Sequence, residues 1–167
     1  MKKLFAMAAA ILFTAGISAF ASGTNPGTDP IKQTDYHVSF NRIVVEDDID
    51  LVLEENTSKL LTVNGNEEDV AKLNWQIRKG VLYLKSNKGS LKNKVSVRVT
   101  VNQLEEILIN DESSVRSTGH LASPKLSVFL SGDGFASIKN LGPIYLSKDS
   151  YTEVDIRRLV GDVVLGK

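Results

Sequence analysis

The chain has 167 residues, 20 basic and 20 acidic side chains and no net charge, so one domain is expected and the basicity of a nucleic-acid binder is missing. It has no cysteine and two histidines, which excludes disulfides, thiolate nucleophiles, cysteine-held zinc and iron–sulfur clusters. Hydrophobic residues at 42% and charged residues at 24% suit a globular chain.

Residues 1–21 read as a secretory signal peptide. Met1-Lys2-Lys3 is a basic start, Leu4 to Phe20 is apolar or small apart from Thr14 and Ser18, and Ala19-Phe20-Ala21 supplies a small-x-small cleavage site. A membrane anchor fits less well, because a span needs about 20 strongly apolar residues and this stretch is rich in alanine. No later stretch is long enough to cross a membrane, so an exported protein that does not span the membrane, periplasmic or at the cell surface, is expected. Residues 22–35, SGTNPGTDPIKQTD, hold two prolines and two glycines and read as a flexible linker. Residues 36–167 are expected to form a single domain.

Strand signals open that domain. Tyr36, Val38 and Phe40 alternate with polar neighbours, as do Ile49, Leu51 and Leu53. Leu61-Thr62-Val63 precedes a turn at Gly65-Asn66. One helix is expected over Glu67 to Leu73, with its acids facing the positive end of the helix dipole. Trp75-Gln76-Ile77, a turn at Lys79-Gly80 and Leu82-Tyr83-Leu84 read as a hairpin. Val95, Val97, Val99 and Val101 then alternate with Ser96, Arg98 and Thr100, a half-buried strand by its period of two.

The second half repeats. Leu104-x2-Ile107-x-Ile109 aligns with Leu121-x4-Leu126-x-Val128, Leu141-x2-Ile144-x-Leu146 and Leu159-x3-Val163-x-Leu165, and the leading leucines are 17, 20 and 18 residues apart. Polar turns follow at Asn110 to Ser113, Ser131 to Gly134 and Ser147 to Ser150. Apolar clusters come next, at Val115, at Phe135 and Ile138, and at Tyr151, Val154 and Ile156. This spacing predicts a mainly β fold: a β-solenoid, single-stranded and β-helix-like, with an N-terminal sheet-rich portion and one short helix. An antiparallel sandwich of evenly spaced strands is the alternative.

The order of several motifs resembles a known family. They are Phe40-x2-Ile43 leading to Ile49-x-Leu51-x-Leu53, Leu61-x-Val63-x-Gly65, Gly80-x-Leu82-x-Leu84, Val99-x-Val101-x2-Leu104-x2-Ile107, and the corner Ser131-Gly132-Asp133-Gly134. From about Tyr36 onward the chain resembles the head GIN domain family, the putative auto-transporter adhesins of secreted Bacteroidetes proteins. The first corner, Asn110 to Ser113, departs from the family pattern in lacking glycine. The resemblance implies a β-solenoid-like fold and an adhesion-related role, and it brings no catalytic residues.

Chemistry-bearing motifs are sparse. His37 and His120 have no His-x-His partner, and no Gly-x-Ser-x-Gly elbow, phosphate loop or dinucleotide fingerprint occurs. Glu46, Asp47, Asp48 and Asp50 crowd together without the Asp-x-Asp-x-Asp-Gly spacing of a calcium loop. No metal site and no cofactor are expected. Asp111, Asp133 and Asp149 recur at successive corners, so they are the candidate acids if the chain were a small polysaccharide-processing enzyme. The stronger expectation is a non-catalytic binding, adhesin-like or scaffold protein of the envelope that works through an extended polar β-face.

Arg78, Lys79, Lys85, Lys88, Lys92, Lys94 and Arg98 lie in a segment without acids, while Ile43 to Ser58 holds six acids and no base. The basic set is a candidate face for an acidic envelope glycan, unless it pairs with the acidic segment inside one sheet. Another envelope protein is the alternative partner. The apolar end at Val163-Val164-Leu165 would leave a strand edge open to a second copy, as a homodimer.

Overall fold

Period-two alternation makes most of the chain β. The computed structural model describes residues 31–86, 91–149 and 159–166. In chain order the elements are β1 (Ile31–Asp35), β2 (Arg42–Val45), β3 (Ile49–Glu55), β4 (Leu60–Asn64), α1 (Glu67–Val70), β5 (Leu73–Arg78), β6 (Val81–Ser86), β7 (Val95–Val101), β8 (Glu106–Ile109), β9 (Ser114–Leu121), β10 (Leu126–Leu130), β11 (Phe135–Asn140), β12 (Ile144–Lys148) and β13 (Val163–Leu165).

They form two mixed sheets. Sheet A has the order β1-β4-β7-β3-β9-β11 and sheet B the order β13-β12-β10-β8-β2-β6-β5. From β7 to β11 in sheet A, and from β6 to β13 in sheet B, neighbours are parallel. The antiparallel pairings β1–β4, β4–β7 and β5–β6 finish the other edges. From β6 to β12 the rule is simple, since a strand of sheet B is followed by one of sheet A and then by another of sheet B.

Apolar side chains stack in register between the sheets. In sheet B, Leu82, Ile43, Ile107, Val128 and Leu146 occupy one row and Leu84, Val45, Ile109 and Leu130 another. Val97, Leu51, Val115 and Ala136 form the facing row of sheet A. All belong to one buried cluster. A strand pair alone exposes its inward row, whereas stacked pairs bury each other's.

The structure corrects the sequence expectations at several points. The N-terminal half is not a separate sheet-rich portion: β2, β3, β6 and β7 lie in the same two sheets and continue the same rows. In space β6 and β7 lie outside β2 and β3, although they come later in the chain. Residues 31–35, expected to end a linker, form β1 and pair with β4. Tyr36 to Phe40 is not a strand. Tyr36 donates its hydroxyl to the Thr100 carbonyl at 2.6 Å and its amide to that of Lys59 at 2.9 Å, and its ring packs on Phe40. Burial pushes the Tyr36 phenol up, against the effect of the Thr100 hydrogen bond. The helix is a single turn, capped by the Asn66 side chain, which accepts the Glu68 amide at 2.9 Å.

The repeat follows the sequence alignment from β10 to β13, where Leu126, Ile144 and Val163 pair in one row and Val128, Leu146 and Leu165 in another, and is offset from it at β8. Ile107 pairs with Val128, not with Leu126. Leu141 is 73% exposed, and Asn140 fills the corner position beside Leu121 instead. The hairpin at Lys79-Gly80 forms as expected, with both residues left-handed, the backbone of a type I′ turn. Residues 1–30, Lys88, and the cluster of Tyr151, Val154 and Ile156 lie outside the described residues.

Candidate binding face and corner ladder

Alternation sends every second residue of sheet A outward. Asp50, Val52 and Glu54 of β3 face out between Ser96, Arg98 and Thr100 of β7 on one side and Ser114 and Arg116 of β9 on the other. The charges pair across strands. Arg98 Nη1 lies 3.4 Å from Glu54 Oε2 and Arg116 Nη2 lies 3.7 Å from Asp50 Oδ2, and Ser114 donates its hydroxyl to Asp50. Val52 sits in register between the two arginines and is only 2% exposed, because long arginine stems cover an apolar neighbour while their heads stay in water. The arginines are half-exposed, so each ion pair adds no more than about 1 kcal/mol. They fix a charge-balanced surface.

The basic residues singled out in the sequence are distributed over both sheets. Arg78 ends β5 and Lys79 forms the hairpin turn, while Lys85 lies on β6 of sheet B. Lys92 and Lys94 precede β7, 3.0 Å from Glu68 and 3.1 Å from Asp48 respectively. Arg98 belongs to the outer face of sheet A. Lys94 and Arg98 therefore pair with carboxylates of the acidic segment. Lys88 is not among the described residues.

The corner acids are put to a structural use at the strand ends where sheet B leads into sheet A. Ser86 donates its amide to the Asp47 carboxylate, and Asp47 donates its amide to Asp111 Oδ2 at 3.3 Å. Gly132 donates to Asp149 Oδ2 at 3.1 Å, an oxygen that also accepts the Ser131 hydroxyl at 2.9 Å. In each case an aspartate one strand along accepts the amide of its neighbour's corner. Asp47, Asp111 and Gly132 are all left-handed, with φ of 66°, 58° and 68°, a conformation that aspartate tolerates and glycine prefers. Asp133 is exposed and stands outside this ladder. Asp47 belongs to it and was not singled out among the corner acids. Its place in the repeat could have been read from Val45, which precedes it by the same two residues that separate Ile109 from Asp111.

One further carboxylate is fully employed. Asp69 of α1 accepts the Lys72 ammonium at 2.9 Å, the backbone amides of Lys92 and Asn93 at 3.0 and 3.1 Å, and the Asn93 side chain at 3.0 Å. The Lys72 bond first, then the others, holds its carboxyl far below the usual carboxylate range. This clasp ties the single helical turn to the segment leading into β7. His37 and His120 are both exposed. Among the described residues no group of three or more histidine, aspartate or glutamate side chains converges as a metal site, and no helix is long and apolar enough to cross a membrane.

Fold and surface together define a mainly β protein of two mixed sheets that presents a broad polar face. The chain belongs to the family described as "Putative auto-transporter adhesin, head GIN domain", which matches residues 39–163. Its fold is similar to the crystal structure of a "putative adhesin" from Parabacteroides merdae, at 12% identity and a TM-score of 0.51 over 84% of this chain and 96% of that one. It is also similar to a "putative lipid binding protein" from Parabacteroides distasonis, at 13% identity and a TM-score of 0.61 over 84% of this chain and 61% of that one. No protein of curated function matches the sequence.

Proposed function

We propose that this chain is a non-catalytic, exported binding protein of the bacterial envelope, adhesin-like in action, and that the outer face of sheet A is its contact surface. The observation that carries this reading is the six-stranded, register-aligned face itself. It spans roughly 24 Å across its strands, at about 4.8 Å per strand spacing. Fixed charges of both signs on such a face gather affinity over area, where a catalytic site concentrates it in a cleft. The two-strand repeat is read as a short β-solenoid, which would set the strands of the face side by side in register.

The non-catalytic reading is supported by the use made of the corner acids. Asp111 and Asp149 accept backbone amides from neighbouring corners, whereas a glycosidase needs two carboxylates held free at a set separation across a substrate. Membership of an adhesin-like family supports export to the envelope. The balanced charges of Asp50, Glu54, Arg98 and Arg116 suit a partner bearing both signs, such as another envelope protein, better than a uniformly acidic glycan.

The test is binding of labelled protein to isolated bacterial envelopes. Joint reversal by Arg98→Glu and Arg116→Glu is expected to weaken binding about tenfold, equivalent to about 1.4 kcal/mol. Lys85→Glu, at an exposed position on β6 of sheet B, is expected to leave it unchanged. Equal binding by the double reversal and the parent protein would refute the assignment of this face.

A further inference from the structure

At the strand ends opposite the aspartate ladder, four connections meet around a concavity of about 540 Å3, within the range of small-ligand sites. Its wall comes from the segment Tyr36 to Asn41, the β3–β4 turn, the β5–β6 hairpin and the β7–β8 connection. The wall is held by backbone bonds. Asn41 donates to Gly80 at 3.1 Å, Glu105 to Asn41 at 2.7 Å and Asn56 to Val101 at 2.9 Å. The later corners are closed instead. There Asn140 bridges Ser123 and Gly142, and the backbone around Gly142 is too tight for a Cβ.

The side chains lining this opening are amides and hydroxyls with spare capacity. Asn41, Asn102, Gln103, Ser39 and Thr57 make no side-chain hydrogen bond to another described residue. Gln103 is left-handed, with φ of 54°. Among the described residues the other left-handed non-glycine positions have structural reasons: Asp47 and Asp111 form the ladder and Lys79 the hairpin turn. Gln103 carries that backbone cost where it delivers an amide to the cavity wall, as residues at binding sites do.

The chemistry selects among ligand classes. Lys59 and Glu105 are the two charged lining residues and offset each other; of the cations of the adjoining depression, Arg42 lies 3.5 Å from Glu106 and Lys125 sits over the Tyr145 ring, so a phosphate finds no cluster of uncompensated cations. Tyr36, Phe40 and Val101 are the apolar lining, too little for an acyl chain. An amide offers a donor and an acceptor side by side, which matches the neighbouring hydroxyls of a sugar ring, and the Tyr36–Phe40 pair offers apolar surface for its C–H face. A second depression of about 420 Å3 shares Gln103 and Glu105 with the first, so the groove continues beyond one ring.

We propose that this groove binds a short saccharide, with a neutral sugar unit seated between Asn41, Asn102, Gln103 and the Tyr36–Phe40 floor. The site shares no residue with the outer face of sheet A, so the failure of either assignment leaves the other standing.

The test is an NMR titration of 15N-labelled protein with N-acetylglucosamine, galactose, mannose, glucose and their disaccharides. Phosphatidylcholine vesicles and inorganic phosphate serve as competing classes. At least one sugar is expected to shift the side-chain amide signals of Asn41, Asn56, Asn102 and Gln103 saturably, in the millimolar range typical of a small weak ligand. The double variant Asn41→Ala, Asn102→Ala removes two unbonded amides and is expected to weaken binding about tenfold. Thr57→Trp, which places an indole in the opening from an exposed position, is expected to abolish it. Unchanged spectra with every sugar would overturn the proposal, as would shifts elsewhere or equal binding by both variants. Vesicle binding that Thr57→Trp blocks would reassign the groove to lipid and overturn it too.

Discussion

The corner between β11 and β12 gives the sharpest test of the register. Asn140 is 2% exposed, while its neighbour Leu141 is 73% exposed. Asn140 Nδ2 donates to the Ser123 carbonyl at 2.9 Å and to the Gly142 carbonyl at 3.0 Å, and its Oδ1 accepts the Ser123 amide at 3.2 Å. Each such bond is worth about 0.5–1.5 kcal/mol, and a buried group left without its partner costs more. Asn140→Ala removes all three, so a loss of roughly 3 kcal/mol is expected. For a domain of this size that corresponds to a fall in Tm of roughly 6–12 °C. Leu141→Ser is expected to change stability by no more than about 0.5 kcal/mol, as at other exposed positions. If the leucine occupied the interior, as its place in the sequence repeat suggests, its truncation would cost about 2–5 kcal/mol. Urea denaturation of the two variants beside the parent protein decides the matter. A Leu141→Ser variant less stable than Asn140→Ala would refute the register and the stacking argument built on it.

Ile107 lies between Ile43 and Val128 in the inward row of sheet B and is fully buried, so Ile107→Ala is expected to cost about 2–5 kcal/mol in denaturant titration. A Cβ at Gly142 would stand 2.5 Å from the carbonyl oxygens of both Ser123 and Pro124, so Gly142→Ala is expected to lose about 1–3 kcal/mol through forced backbone movement. The Asp69 carboxyl is depressed in the folded protein, so its ionised form stabilises the fold above the ordinary aspartate value of about 3.9. That stabilisation is expected to fade as pH falls below this value and the carboxylate is protonated. Asp69→Asn should therefore be less stable than the parent at neutral pH, with the gap narrowing towards acid, and thermal melts from pH 7 down to pH 2 test it. A gap that stays constant with pH would contradict the clasp.

The two surfaces divide the molecule between a broad contact and a local one. On the outer face of sheet A, Arg98 and Arg116 are braced by carboxylates of the strand beside them. The groove at the other strand ends is held by backbone bonds, which leaves the Asn41, Asn102 and Gln103 side chains to a ligand. Binding through a pre-shaped surface avoids much of the ordering cost that flexible contacts carry.

Strand identity was legible in the sequence because it is a local property. Alternation marked β3, β4, β6 and β7, Lys79-Gly80 marked the hairpin, and the opposite charges of the segments around Asp48 and Glu54 and around Lys94 and Arg98 foreshadowed their pairing in sheet A. Register was legible from β10 to β13, where the aligned pairs are the true ones, but not between β8 and β10. A slip of two residues preserves the inside-outside alternation that a slip of one would invert, so aligning Ile107 with Leu126 looked as sound as the true partner, Val128. At the corner after β11 alternation no longer applies, and hydrogen bonding placed Asn140 inside in place of Leu141. The position of β6 and β7 outside β2 and β3, the aspartate ladder through Asp47, and the groove built from four distant connections all depend on contacts between residues far apart in the chain. Parallel neighbours leave no turn between them to mark the pairing, so only the tertiary structure brought these residues together.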